Sequence, residues 1–149
     1  MVHTMAYLKG QELIVQLKEE HENIVQMFRA ALACGVESSQ GREMFKEAKS
    51  ELLLHHEKEK KLVYQELIDS RMGANRVRKS HLYRNDDMYG FDDTMRMLHE
   101  FENELDSPIF FNSQNASTVC MGVVNAVAER VEFEESIIFL MYGKIASGL

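Results

Sequence analysis

The chain has no tryptophan, a single proline and only two cysteines. With one proline, nearly all of its length is free of the residue that breaks helices most severely. Cys34 and Cys120 lie far apart and neither has a Cys-x-x-Cys partner, so a disulfide framework and a thiolate metal site are both disfavoured. The expectation is two reduced core cysteines in a cytoplasmic protein. Long apolar runs are also missing. The longest, Ile137-Ile138-Phe139-Leu140-Met141-Tyr142, is far short of the roughly 20 residues that span a bilayer. None follows Met1-Val2-His3-Thr4, so no secretory signal is expected. Positive charge is in deficit: 17 Lys and Arg stand against 24 Asp and Glu, a net charge of −7. That balance argues against nucleic acid and against anionic membrane surfaces as partners. Strand signals are absent as well, with no sustained alternation of apolar and polar residues and no Asn-Gly or Asp-Gly turn.

What remains is a chain of 149 residues, 45% hydrophobic and rich in Ala, Leu, Met, Glu and Lys. It is long enough for one domain with a real core, and its composition suits helices. The periodicity predicts a first helix from about Lys9 to Ala33, with Leu13, Ile14, Leu17, Ile24, Val25, Phe28 and Leu32 on one face. His21 falls in that stripe. Gly35 ends this helix and Ser38-Ser39-Gln40-Gly41 forms a loop. A second helix is predicted from about Arg42 to Ser70, its inward face running Phe45, Ala48, Leu52, His55, Glu59, Leu62 or Val63, and Leu67. Residues 72–91 break the pattern and read as a long connection, whose basic cluster of Arg76, Arg78, Lys79 and Arg84 reads as a solvated face. Asp92 or Asp93 can cap a third helix to about Leu105, with Met95, Leu98, Phe101 or Glu102, and Leu105 inward and His99 at the stripe's edge. A last helix is predicted from about Ala116 to Lys144, with Cys120, Val124, Val127, Val131, Ile138 and Met141 inward. Glu134 lies midway along it and Arg130 is one turn earlier. The expected fold is all-α, an up-down four-helix bundle.

His and Glu recur inside the apolar stripes, and burying unpaired charge costs several kcal/mol. Residues four apart share a helix face, so His55 and Glu59 can reach one ion. His21, His55, Glu59, His99 and Glu134 are therefore the candidate metal ligands. Mixed imidazole and carboxylate donors suit iron, manganese or zinc. His56 points roughly 100° away from His55 and is expected at the surface or in a groove. His81, in the long connection, is a reserve ligand, and Tyr64 is expected to pack.

These motifs resemble those of the hemerythrin-like (HHE cation-binding) family. Leu54-His55-His56-Glu57-Lys58-Glu59 followed by Leu62-Val63-Tyr64 is similar to the family's second-helix signature. Glu20-His21-Glu22-Asn23-Ile24 resembles the first-helix motif, Leu98-His99-Glu100 the third, and Glu134-Glu135-Ser136-Ile137-Ile138-Phe139 the fourth. The resemblance covers about residues 10–143 of a single domain spanning 1–149. It implies a bundle holding two non-haem irons with an open position for dioxygen. By the same resemblance His21, His55 and Glu59 serve the first iron and the bridge, and His99 and Glu134 the second. Arg130 departs from the pattern, standing where the family has a His four before the first Glu. A guanidinium stays protonated and cannot ligate a metal, so the second metal position is in doubt.

The leading expectation is a non-haem iron protein that carries or senses dioxygen, nitric oxide or iron, rather than an enzyme. Two alternatives stand beside it: a di-metal carboxylate oxidase or peroxidase, and a metal-poor bundle serving as an interaction module. No nucleic-acid or membrane partner is expected.

Overall fold

The computed structural model describes residues 2–69, 91–105 and 116–146. They form α1 (Val2–Cys34), α2 (Ser39–Glu59), a first π-turn (Lys60–Tyr64), α3 (Gln65–Asp69), α4 (Phe91–Leu105), α5 (Ala116–Phe133), a second π-turn (Glu134–Ile138) and α6 (Phe139–Ala146). α2 runs through its π-turn into α3, and α5 runs through the other into α6. The described residues therefore make four helical rods without a strand, the all-α bundle that the periodicity predicts. The long connection at 72–91, its basic cluster and His81 lie outside the described residues, apart from Phe91, which begins α4.

α1 and α2 are joined by a hairpin that two glycines make possible. Gly35 has φ 96°, which L side chains rarely adopt, and its N–H closes the end of α1 on the Ala31 carbonyl at 3.1 Å. A Cβ on Gly41 would meet the Gly35 carbonyl oxygen at 1.9 Å. Ser38 caps α2, its Oγ accepting from the Gly41 N–H at 2.9 Å.

The core is two apolar clusters with a polar layer between them. One cluster gathers Ile24 and Phe28 of α1, Phe45, Ala48 and Leu52 of α2, Leu98 and Phe101 of α4, and Val124 and Val127 of α5. Phe45 stands edge-on to both Phe28 and Phe101, with ring centroids 5.4 and 4.9 Å apart. Such pairs add about 0.5–1.5 kcal/mol beyond their burial. The other cluster joins Ile14 and Leu17 of α1 to Val63, Tyr64, Leu67, Ile138 and Phe139. Along each of three rods, the residues between the clusters are polar and buried: His21 on α1, His55 and Glu59 on α2, Arg130 and Glu134 on the last rod. Bundle packing thus holds the polar layer at a fixed height, walled by hydrocarbon above and below.

Cys120 is buried as expected, but Cys34 is exposed, because it is the last residue of α1 and lies beyond the apolar stripe. No helix among the described residues is long and apolar enough to cross a membrane.

Candidate metal centre

His21, His55, Glu59 and Glu134 each direct one donor atom into a common space, and these atoms all lie within 4.8 Å of one another. His21 Nε2 is 3.3 Å from Glu134 Oε2 and 3.5 Å from Glu59 Oε1. His55 Nε2 touches the same Glu59 oxygen. Each π-turn begins at or directly after a candidate ligand carboxylate: the first at Lys60, directly after Glu59, the second at Glu134 itself. Their i→i+5 bonds, Gln65 N–H to Lys60 O and Phe139 N–H to Glu134 O, widen the helix where the carboxylates project inward.

The imidazoles are oriented from outside. His21 Nδ1 donates to Glu135 Oε2 at 3.0 Å, and His55 Nδ1 donates to Glu20 Oε1 at 2.9 Å. Lys58 in turn donates to the other Glu20 oxygen at 2.6 Å. Phe139 stacks on the His21 ring at 5.3 Å with an interplanar angle of 3°. A neutral imidazole with its proton on Nδ1 presents a lone pair at Nε2. Two such lone pairs and two carboxylates then converge, all acceptors. His55 Nε2, Glu59 Oε2 and Glu134 Oε2 are buried and find no hydrogen-bond partner among the described residues. Buried polar atoms left without partners are costly, and a cation satisfies all of them at once. Outer carboxylates on the distal ring nitrogens are the usual supports of metal-ligating histidines. The donor set therefore fits a metal ion.

Without a metal, protons take its place. Burial pushes His21 down, but the Glu134 and Glu59 carboxylates overcome it and raise its pKa to about 10. Glu134 is pushed up to about 7 by burial and by Glu59, against His21 and Arg130. Glu59 falls below the carboxylate range: burial opposes this, but a hydrogen shared with Glu134 and the two imidazoles prevail.

Arg130 enters the same layer. Its Nε donates to Glu134 Oε1 at 3.0 Å and its Nη2 to the Tyr64 hydroxyl at 2.9 Å, all three side chains being buried. One oxygen of Glu134 thus faces His21 while the other holds a guanidinium. Tyr64 is more than packing, and its pKa is driven well above the usual value by burial and by Glu134, against Arg130. His56 is buried too, not at the surface or in a groove, because the ring lies 6.1 Å from Tyr64 inside the bundle. Burial holds it neutral, with a pKa lowered to about 4.

His99 is not brought to this cluster. It is exposed on α4, where Lys49 Nζ donates to its Nδ1 at 2.6 Å and also binds Glu102. The reason is height along the bundle. Lys49 precedes His55 by six residues on α2, roughly 9 Å of helix rise. His99 sits at the level of Lys49, one position past the inward Leu98. The metal layer meets α4 roughly six residues earlier, near the exposed Asp92 and Asp93. His99→Ala is accordingly expected to leave metal content unchanged. Metal analysis of that variant checks this, and a loss of metal would place His99 among the ligands.

A groove of about 790 Å³ runs between α1 and α5, lined by Val15, Lys18, Glu22, Arg29 and Val131, with His21 and Glu135 at its floor. It brings solvent to the outer edge of the centre.

The family model of the hemerythrin HHE cation binding domain matches residues 12–142. No curated protein and no solved structure matches the chain.

Proposed function

The chain belongs to the hemerythrin HHE cation-binding family, and from that premise we propose that it holds non-haem iron on His21, His55, Glu59 and Glu134 and carries or senses dioxygen or nitric oxide there. The observation that supports this most is the set of buried acceptor atoms converging without partners, on imidazoles already oriented by Glu20 and Glu135. Two imidazoles and two carboxylates suit iron. They leave coordination positions open on a metal that takes more ligands than the protein supplies.

The test is anaerobic purification, ferrous loading and metal analysis, followed by exposure to dioxygen and degassing, and separately to nitric oxide. About one tightly held iron per chain is expected, with an absorption band that appears with the gas and reverses when it is removed. A chain that takes up no metal would instead be the interaction module, stabilised by the Arg130–Glu134 pair. Irreversible consumption of dioxygen with turnover of a reductant would make it an oxidase.

Metal and proton compete for His21 Nε2. Since the metal-free ring has a pKa of about 10, loading near neutral pH must expel its proton. Apparent affinity should rise at least about tenfold per pH unit from about pH 6 to about pH 8, with release of at least about one proton per metal, more steeply at the acidic end where Glu134, pushed up to about 7, is protonated too. Calorimetry in buffers of different ionisation enthalpy measures the release. An affinity flat across that range would remove His21 from the ligand set. In the metal-free chain the same proton stabilises the fold. That contribution is full below the unfolded value of about 6.5 and fades as pH rises through about 10.

A further inference from the structure

We propose that a second copy of this chain docks in the groove between α1 and α5, so that two α1 helices pack antiparallel across a two-fold axis at the level of Glu20. This surface is independent of whether the centre holds metal. Along the groove side of α1 stand Gln11, Val15, Lys18, Glu22, Val25 and Arg29, alternately four and three residues apart. That spacing keeps a seam in line along a partner helix.

Read backwards, the seam is its own complement. In an antiparallel pair each residue meets the one equally far on the other side of Glu20. Lys18 of one copy then lies opposite Glu22 of the other, and the symmetry repeats the pair. Val15 meets Val25 and Gln11 meets Arg29, each twice. A parallel pair would set Lys18 against Lys18 and Glu22 against Glu22, which repels. Shape agrees with charge. Val15 is 55% exposed, whereas Val25 is only 9% exposed and recessed in the groove, so the protruding valine of one copy fits the recess of the other. Lys18, Glu22 and Arg29 make no ion pair or hydrogen bond among the described residues, although Lys18 and Glu22 are one helical turn apart. Their charges are therefore free for a partner. The opposite wall adds Glu132 and Glu135. Glu135 holds His21, which places it close to the level of the axis, where Lys18 of the other copy arrives. The second copy thus covers the solvent-facing edge of the polar layer. A seam about 27 Å long on a helix about 10 Å wide is small for a specific interface, so the expected dimer is weak and reversible.

The test is sedimentation velocity of the full chain, iron-loaded and metal-free, from about 5 to about 200 μM. The unmodified chain should pass from monomer to dimer over that range, and salt should weaken the dimer about threefold or more. Lys18→Glu and Glu22→Lys should each weaken self-association at least about tenfold, because each sets like charges opposite one another at two places. Net charge alone would instead weaken the first variant and strengthen the second. Mixed in equal amounts, the two variants should form a heterodimer within about threefold of the parent's affinity, since every facing pair is again opposite in sign. The double variant Lys18→Glu with Glu22→Lys should self-associate for the same reason. Circular dichroism checks helix content throughout. A parent chain that stays monomeric at about 200 μM overturns the proposal and leaves the groove to a different partner. A dimer that neither charge variant weakens overturns it, and so does a mixture that stays monomeric. If either charge variant loses helix, Val15→Glu carries the test, and undiminished dimerisation in it overturns the proposal.

Discussion

His55→Ala is expected to strip the metal centre and leave the bundle folded. The side chain sends Nε2 into the space shared by the four donors, and that atom has no hydrogen-bond partner among the described residues. Its removal would delete one of the four proposed ligands outright. Loss of a hydrogen bond behind a ligand typically costs 10–100-fold in metal affinity, so loss of the ligand itself should exceed about 100-fold. The companion variant Glu20→Gln keeps an acceptor for His55 Nδ1 but removes its charge, and should lose no more than that outer-contact range. The fold should survive because neither apolar cluster contains His55. In the metal-free protein the change also relieves the contact between His55 Nε2 and Glu59. Metal content by elemental analysis and helix content by circular dichroism are the two measurements. Full metal content in His55→Ala would defeat the assignment, whereas loss of metal together with helix would show only that the layer is structural.

The helices were legible because apolar residues recur at helical spacing with little to interrupt them. The predicted spans Lys9–Ala33 and Ala116–Lys144 fall within the rods Val2–Cys34 and Ala116–Ala146. Four of the five expected ligands meet for the same reason. An ionisable residue that keeps the phase of a buried stripe is buried with it, as His21 is between Leu17 and Ile24. Phase says nothing about height, however. His99 follows Leu98 by one residue and sits at the level of Lys49, away from the metal layer, and only the packing of α4 against α2 reveals this. Height also depends on rod direction and on where α4 begins.

The outer partners were hidden for a different reason. Glu20 is adjacent in sequence to His21 but supports His55, and Glu135 supports His21 from another rod. Such cross-rod pairings are set by how the helices are rotated against one another, which no single-helix pattern encodes. The signal that could have exposed Glu20 is its complement Lys58, which lies three residues past His55 and closes the same pair. The π-turns are likewise invisible to a periodicity read at 3.6 residues per turn. His56 shows the limit of angular reasoning. A residue about 100° from an inward ligand still lies inside when a neighbour as large as Tyr64 extends the core around it.

Arg130→His should raise metal content from about one toward two per chain. Arg130 and Glu134 are related as His55 and Glu59 are, four residues apart on a buried helical face, each pair leading into a π-turn. The two halves differ chiefly in that a cationic side chain fills the second. It is held on Glu134 Oε1 and on Tyr64, so it occludes the position and also supplies the positive charge that the carboxylates need. Histidine is shorter and neutral, and its ring can act as a ligand. Removing the guanidinium takes away one of the two cationic neighbours of Glu134 and leaves protonated His21, so the loss should stay below the roughly 3–5 kcal/mol of a buried charge left with no partner. The metal-free variant should therefore be less stable than the parent, and metal should restore the difference, because binding to the folded state alone stabilises it. The measurements are iron per chain after anaerobic loading and the denaturation midpoint with and without metal. A variant that still holds one iron would mean that the half-site needs a further ligand from the fourth rod. Two irons in the unmodified protein would mean that Arg130 does not block the position, and the comparison between the two halves would fail with it.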